Sequence, residues 1–351
     1  MFPGKRLGCS VLFILTLTVA GAARADLLIG DYRGSGTPGP VLRFAETADG
    51  NVAPSGSFYT NLNGGTDVLQ AAWYMTYEPV ENVVYVADFF GQTIRVYAAG
   101  ASGNVAAVRV LNPPLLGQPR RVAISTEHDE LITTASGCCI ATYPRTASGS
   151  AVAALRMVQW GGLSGSVTRL NYPQGVVLRK SSDEIIVVDS ERNPDSSYSG
   201  VVLFFARMAS GNTAPTRVLK GTQTLLGSGA FGVAYDSIHD EIIVLSSDST
   251  TLRISTFAGT ASGDTAPLRS IAGNLTLLEI AAGVVYDSAS ATIYVWQGGY
   301  NGYLPRVLAF ARTANGDVAP MRVIAGVATT LVQPSGLEVA PFALIFKNGF
   351  E

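Results

Sequence analysis

Two stretches of the chain read almost alike: residues 202–221 are VLFFARMASGNTAPTRVLKG, and residues 307–326 are VLAFARTANGDVAPMRVIAG. Their shared centre is Ala-x-Gly followed by Asn, Asp or Ser, and it occurs six times in the chain. The six glycines recur every 46 to 62 residues and are Gly50, Gly103, Gly149, Gly211, Gly263 and Gly316. Self-similarity at such a period is typical of repeat architectures, in which each repeat forms one supersecondary unit.

Each repeat has room for four strands. A segment of alternating apolar residues precedes every glycine, and a second begins with an Arg in five of the repeats. Because glycine adopts positive φ readily, the motif predicts a turn between two strands. A proline follows in four repeats, where we expect it at the first residue of an edge strand: Pro54, Pro215, Pro267 and Pro320. Strand–turn–strand patterns such as FGVAYDSIHDEIIVLSS (231–247) fill the rest of each period.

The repeats predict an all-β protein, a six-bladed β-propeller of four-stranded antiparallel blades that spans residues 26–343. Near the N-terminus, LLIGDY (27–32) matches the second strand of a repeat that lacks a first strand there. The missing strand occurs at the other end, where PSGLEVA (334–340) matches PQGVVL (173–178). We therefore expect both termini to close the last blade, an arrangement that removes the open sheet edges.

The segments YVADFFGQTIRVYA (85–98) and YPQGVVL (172–178) resemble the NHL repeat of six-bladed propellers. The resemblance extends over essentially the whole chain after residue 25, and it implies a β-propeller. Propellers with this repeat serve many different functions, so the likeness implies no single activity.

Residues 1–25 have the pattern of a secretory signal peptide. A basic start precedes an apolar run from Val11 to Val19, and Ala23-Arg24-Ala25 matches a cleavage site. The apolar run is too short to span a bilayer. The tail at 344–351 contains IFKNGFE, which resembles the terminus of many exported proteobacterial proteins. We expect a secreted protein, periplasmic or extracellular, of a Gram-negative bacterium.

The composition argues against some partners. The formal charge of the whole chain is −2, with 14% charged residues, and the leader contributes three basic residues and no acidic ones. No basic block is present to bind nucleic acid or an anionic membrane. We expect a monomer that binds a small molecule, a glycan or a protein, without insertion into a membrane.

The loops between second and third strands vary most, and variable loops on a repeat scaffold are where a site is expected. Aromatic, acidic and basic residues concentrate in these loops and the neighbouring strand ends. The candidate ligand-binding residues are Tyr32, Arg33, Asp88, Phe89, Arg120, Cys138, Cys139, Gln174, Asp189, Arg192, Trp296 and Tyr300. This mixture suits a sugar, a peptide or a small anion.

Calcium is the one cofactor that the residues suggest, since carboxylates are among the ligands it takes. The candidate ligands are Asp88, Asp189, Asp248 and Glu338. Similar propeller lactonases hold a central metal through Glu, Asn and Asp side chains, but no matching Asn positions are evident here. The aspartates could equally cap turns through Asx hydrogen bonds.

Cys138 and Cys139 are the only cysteines after the leader, and export favours their oxidation. A bond between adjacent cysteines is strained and closes almost no loop. Three interpretations stay open: a rigid disulfide plate at a ligand site, a local disulfide without a role, and two unpaired small hydrophobic residues.

No local catalytic motif is present, neither G-x-S-x-G nor H-E-x-x-H nor a phosphate loop. We therefore expect a secreted module that binds a ligand or protein through the second–third loops and central pore of one face, without catalysis. The first alternative is a calcium-assisted hydrolase or lactonase in the central channel. The second is a structural protein that acts through surface interactions.

Overall fold

The computed structural model describes residues 25–34, 36–136, 139–159, 165–248 and 250–341. Six antiparallel sheets follow one another around a central axis and form a six-bladed propeller, as the repeats predict. In each blade the first strand is innermost, and the following strands run outward in order. Within the described residues, no helix is both long and apolar enough to cross a membrane.

Strand bounds, from the axis outward, are similar in all blades. Blade 1 consists of Pro334–Pro341, Ala25–Asp31, Val41–Ala45 and Gly56–Tyr59. Blade 2 consists of Ala72–Glu78, Val83–Asp88, Thr93–Ala98 and Arg109–Leu111. Blade 3 consists of Pro119–Ser125, Glu130–Ala135, Cys139–Pro144 and Arg156–Gln159.

The second half of the ring repeats the pattern. Blade 4 consists of Gly175–Arg179, Glu184–Arg192, Tyr198–Ala206 and Arg217–Leu219. Blade 5 consists of Gly229–Asp236, Glu241–Ser247, Leu252–Ala258 and Arg269–Ile271. Blade 6 consists of Ala281–Asp287, Thr292–Gln297, Arg306–Ala311 and Arg322–Ala325. Short strands and 3-10 turns complete the links: Asn61–Leu62, Asp67–Val68, Gly103–Asn104, Asn63–Gly65, Lys180–Ser182, Asn274–Thr276 and Val327–Thr329.

Both ends of the chain build blade 1, which confirms the predicted closure. The strand Pro334–Pro341 pairs antiparallel with Ala25–Asp31, and Leu27 lies opposite Val339. Residue 25, which the sequence pattern assigns to the leader, is the first residue of this pairing. The leader up to residue 24 and the tail at 344–351 lie outside the described residues.

The core is divided among the blade interfaces. Each of six apolar clusters joins two neighbouring blades, and the cluster around Ile243 and Val295 joins blades 5 and 6. The second strands are buried on both faces, and every residue of Val83–Asp88 is buried. Burying one large aliphatic side chain stabilises a fold by about 1.5–3 kcal/mol, so the ring is held mainly by these interfaces.

The repeated Ala-x-Gly motif joins neighbouring blades, a role that goes beyond turning the chain between strands. All six glycines have positive φ, and each forms a parallel bridge to the outer strand of the preceding blade. At Gly211 the backbone N–H donates to Met157 O at 2.7 Å, and Gly211 O accepts from Gln159 N–H at 3.1 Å. We call each such connection a clasp. The clasps cover outer strand edges that would otherwise be open to pairing with other chains.

After five of the clasp glycines, the side chain of the next residue accepts an N–H of the link that leaves the preceding blade. Asp264 Oδ1 accepts the Gln223 N–H at 2.7 Å, and Asn212 Oδ1 accepts the Val167 N–H at 2.8 Å. Four links share the pattern G-x-x-T-x-L, which begins at Gly165, Gly221, Gly273 and Gly326. Each of the four motif prolines lies two residues before its strand, in the clasp, and not at the first strand residue as expected.

Candidate functional site

The first strands of all six blades line the central channel. They begin on the face that carries the second–third loops and the links, which we call the loop face. They end on the opposite face, which carries the first–second turns and which we call the turn face. Successive first strands pack against one another around the ring. Side chains at matching positions of the six strands therefore meet in layers across the axis.

The uppermost layer is made by β-bulges. In five blades the register shifts near the start of the first strand, so that one residue has no partner in the ladder. A bulge re-aims a side chain, and bulges are frequent beside functional sites. In blade 4, Gln174 holds the matching position directly before the strand. We call this set the bulge ring: Trp73, Arg120, Gln174, Phe231, Ala282 and Ser335.

The bulge ring lines a cavity of about 350 Å³ that opens on the loop face, and we call it the upper cavity. Three further residues complete its lining: Tyr300, Gln333 and Pro334. Four of the six ring residues carry large side chains, whereas Ala282 and Ser335 are small and leave space between Phe231 and Trp73. The lining is therefore aromatic and amide-rich with one basic group, a combination typical of small-molecule sites.

Arg120 is the most highly connected member of the ring. Its guanidinium donates to Ser136 Oγ at 2.7 Å, to Gln174 Oε1 at 2.6 Å and to Tyr172 OH. It also lies 5.0 Å from the centre of the Phe89 ring. These contacts fix one planar cation at the wall of the upper cavity.

The aromatic wall continues outward from Trp73. The Trp73 and Phe89 rings stack with centroids 4.8 Å apart, and Phe90 meets Trp73 edge-on. Tyr32 stacks on Phe90 at 4.9 Å. Two predicted residues, Tyr32 and Phe89, therefore lie in the aromatic cluster that packs around Trp73, and they are not among the lining residues of the upper cavity.

Tyr74 and Arg121 close the channel beneath the upper cavity, and we call this pair the plug. The Arg121 guanidinium lies 4.9 Å from the Tyr74 ring centre and donates to Val284 O at 3.1 Å. Both side chains are buried. The other four blades have glycine at this position, and a Cβ on Gly283 would lie 2.3 Å from Tyr74 OH. The plug therefore fills the space that the glycines leave.

A second cavity of about 510 Å³ lies below the plug and opens toward the turn face, and we call it the lower channel. Its layer of matching positions is small or apolar apart from Thr76 and Glu338. Burial raises the pKa of Glu338 to about 8, and the charge of Arg121 offsets part of this effect. Glu338 is thus separated from the loop face by the plug.

The predicted metal ligands do not come together. Asp88 accepts the Ala71 N–H at 3.0 Å, and Asp189 accepts the Tyr172 N–H at 2.7 Å. Asp248 caps an exposed turn by accepting the Thr251 N–H at 2.8 Å, and Glu338 lies in the lower channel. Among the described residues, no group of three His, Cys, Asp or Glu side chains could hold a metal ion. The donor set therefore does not fit the calcium site expected from the sequence.

The buried aspartates instead position the bulge ring. Each lies at the end of a second strand and binds N–H groups of the link that enters the same blade. Asp88 holds the link two residues before Trp73, and Asp189 holds the link two residues before Gln174. Burial raises the pKa of Asp189 to about 6, although three backbone N–H groups lower it. The interpretation of these residues as caps is the one that the structure supports.

Three other predicted contacts lie away from the upper cavity. Arg33 forms an ion pair with Asp31 at 2.7 Å and donates to a backbone carbonyl of the adjacent link. Arg192 donates to Ser196 at the tip of an exposed loop. Trp296 is fully buried and meets Tyr74 edge-on at 5.0 Å, so it supports the plug and is not exposed to a ligand.

The cysteine prediction falls partly outside the described residues, because Cys138 is not among them. Cys139 begins the third strand of blade 3 and is fully buried in the cluster between blades 2 and 3. The Cys138–Cys139 disulfide and its contact with a ligand stay predictions.

Trp73, Phe231, Ala282 and Ser335 are site residues that the sequence reasoning missed. A signal was present, because the residue of the bulge ring is the middle residue of Pro-x-Gly or Ala-x-Gly in four blades, as in Pro173-Gln174-Gly175 and Ala230-Phe231-Gly232. Comparing that one position across all repeats would have found the ring. The motif by itself reads only as the start of a strand.

The fold resembles known propellers at low sequence identity. A nidogen propeller in a crystal structure of a nidogen–laminin complex matches with a TM-score of 0.56 and 14% identity, over 90% of this chain and 98% of that chain. A chain of Kuenenia stuttgartiensis hydrazine synthase matches with a TM-score of 0.48 and 10% identity, over 68% of this chain and 62% of that chain. No protein family model and no curated protein matches the sequence. The first likeness supports the fold alone, and the NHL resemblance stays a prediction.

Proposed function

We propose that the protein is a secreted binding module that takes a small ligand into the upper cavity, without catalysis. The observation that supports this most directly is the bulge ring. Five register shifts at matching positions aim side chains into one cavity, and strand pairing alone would not require them. The cavity volume of about 350 Å³ is within the range of small-molecule sites.

The arrangement suits recognition better than turnover. Trp73 and Phe231 offer apolar walls, while Gln174 and Arg120 offer polar groups at defined places. The plug separates this cavity from Glu338, the acid in the lower channel. The hydrolase alternative gains no supporting observation, since its four proposed metal ligands occupy separate places in the fold.

A protein partner is the second candidate for the loop face. The nidogen propeller that resembles this chain occurs in a complex with laminin, which is an analogy of fold. Several large side chains are exposed around the loop-face rim, among them Tyr300, Tyr303 and Leu304. A protein partner would cover these residues as well as the cavity, so the two candidates predict different sensitive positions.

The test is a screen by native mass spectrometry of the purified protein against glycan, peptide and small-molecule collections, followed by titration of each hit. Phe231→Ala removes one wall of the upper cavity and is expected to weaken binding about 10- to 100-fold, the effect of losing one buried ring. Tyr198→Ala, at the exposed start of the third strand of blade 4 on the same face, is the matched control and should leave affinity unchanged.

Three results would count against the proposal. A ligand that binds Phe231→Ala and Tyr198→Ala with the same affinity binds outside the upper cavity. A hit whose binding is lost on Leu304→Ala but not on Phe231→Ala would indicate a partner that docks on the rim. Absence of any hit would favour the structural alternative.

A further inference from the structure

We infer that the ligand of the upper cavity is a small organic monocarboxylate with an apolar or aromatic body, and that Arg120 binds its carboxylate. This inference rests on the proposed function, because it names the ligand class of the same site. It is carried by the surroundings of Arg120, by the lining of the cavity and by the count of charges that face it.

Arg120 is a buried cation without an acidic partner. Only 9% of its surface is exposed, and within the described part of the chain it takes part in no ion pair. Burial lowers the pKa of Arg120, and Tyr172 offsets part of this effect. Arginine nevertheless stays protonated in proteins, so the charge is unmatched when the cavity holds no anion.

Other buried arginines of the described chain show how unusual this is. Arg95 pairs with Asp67 at 2.7 Å, and Arg207 pairs with Glu130 at 2.9 Å. Arg121 of the plug forms no ion pair among the described residues either, but its charge interacts with the carboxyl group of Glu338 in the lower channel. A buried charge is normally paired, because removing it from water without a counter-ion is costly. Arg120 departs from this rule at the wall of a cavity.

The geometry leaves donors for a ligand. A guanidinium carries five N–H groups, and Arg120 uses three of them on neutral oxygens of Ser136, Gln174 and Tyr172. These bonds and the Phe89 ring hold its plane in place. The remaining N–H groups can bind a carboxylate, whose two oxygens match the spacing of guanidinium donors.

The lining limits the charge of the ligand to about one. Among the described residues, no acidic and no second basic residue lines the upper cavity. An acidic lining would repel an anion, and a dianion such as a phosphate monoester would leave one charge unpaired. Phe231, Trp73 and Tyr300 supply apolar walls that an uncharged body would contact. A volume of about 350 Å³ has room for one ring together with its carboxylate.

The inference is tested with matched carboxylate and primary-amide probes: benzoate and benzamide, phenylacetate and phenylacetamide, indole-3-acetate and indole-3-acetamide. Each is titrated by calorimetry at pH 7 into the wild-type protein. At least one carboxylate should bind tenfold or more tightly than its amide, as expected for a charged hydrogen bond. Arg120→Gln should remove this preference, and Arg120→Lys should restore part of it.

Arg192→Gln is the control, because Arg192 is a loop-face arginine outside the cavity. It should leave every affinity unchanged. Phe231→Ala should weaken the carboxylate and the amide of a pair alike. Circular dichroism of each variant checks that the fold is retained.

The outcomes separate the two proposals. Equal binding of carboxylate and amide, both sensitive to Phe231→Ala, overturns the carboxylate inference and leaves the binding function standing. A carboxylate preference that survives Arg120→Gln overturns the role of Arg120. Failure of every probe to bind overturns the carboxylate class. Binding that ignores both Phe231→Ala and Arg120→Gln contradicts the upper cavity as the site.

Discussion

Replacing Gly103, the clasp glycine of blade 2, by alanine should destabilise the propeller, whereas replacing Gly100 in the same connection should not. Gly103 has a φ of +70° and forms a parallel pair with Phe58 of blade 1. Gly100 lies three residues earlier and has no positive φ. A Cβ at either position would meet no atom within 4 Å. The two substitutions therefore differ in backbone conformation and not in steric contact.

The magnitude follows from that difference. An L-residue in the left-handed region costs about 1–2 kcal/mol, and the restriction of the unfolded chain offsets about 0.4–1 kcal/mol of this cost. Gly103→Ala should therefore lower the free energy of unfolding by up to about 1.5 kcal/mol. Gly100→Ala restricts the unfolded chain at a position with ordinary φ and should raise it by about 0.4–1 kcal/mol. The unfolded-chain effect is common to both substitutions, so the pair should differ by about 1–2 kcal/mol, or by about 1.5–3 °C in Tm for a domain of this size.

The assay is equilibrium urea unfolding followed by tryptophan fluorescence, with thermal unfolding as a second measurement. Gly211→Ala, at a clasp glycine whose φ is +69°, should give an independent loss of similar size, because the two clasps lie in different blades. If Gly103→Ala and Gly100→Ala gave equal stabilities, the clasp would not depend on the left-handed conformation and the reasoning would fail.

Two further predictions concern the channel and the clasp. Because the pKa of Glu338 is raised to about 8 from an ordinary value of 4.5, the stability that its neutral form contributes is present below about pH 4.5 and is lost as the pH rises through 8. Glu338→Gln should have the same Tm as the wild type at pH 4.5 and should be more stable than the wild type at pH 9. The difference in free energy of unfolding at pH 9 should be at most about 4 kcal/mol, because solvent in the open channel partly screens the charge. If the Tm values of the two proteins changed in parallel with pH, this prediction would be contradicted. Asp264→Ala should lower the free energy of unfolding in urea by about 1 kcal/mol through loss of the Gln223 N–H bond. Asp264→Asn should be neutral, because Asn212 plays the same part in another clasp; equal losses in both variants would count against that role.

The site was only partly accessible to sequence reasoning. Arg120, Gln174 and Tyr300 are predicted from the loop-face pattern, and the structure places all three at the upper cavity. Asp88 and Asp189 are also predicted, but their carboxylates bind link N–H groups because buried backbone donors need acceptors. A carboxylate at the end of a strand has the same sequence signature in either role.

Trp296 shows the same limit from another direction. An aromatic residue at the end of a second strand predicts a ligand contact on the loop face. The side chain is instead fully buried because glycine at position 283 leaves room for it: a Cβ there would lie 2.2 Å from the indole ring. The glycine that makes this space lies in a different strand from Trp296, so the sequence around Trp296 does not reveal that its side chain is buried.

The repeat alone determined the number of blades, the four strands of each and the closure by both termini. A period of about fifty residues with two-residue alternation admits few other architectures, and the incomplete first repeat requires its missing strand from the other end. Only the tertiary structure decided which side chains form the bulge ring and line the upper cavity. A β-bulge adds one residue to a strand and turns that side chain from the ladder toward the axis, and the composition of the strand scarcely records this change. Only the closed ring then brings Trp73 and Ser335 to one cavity from opposite ends of the chain.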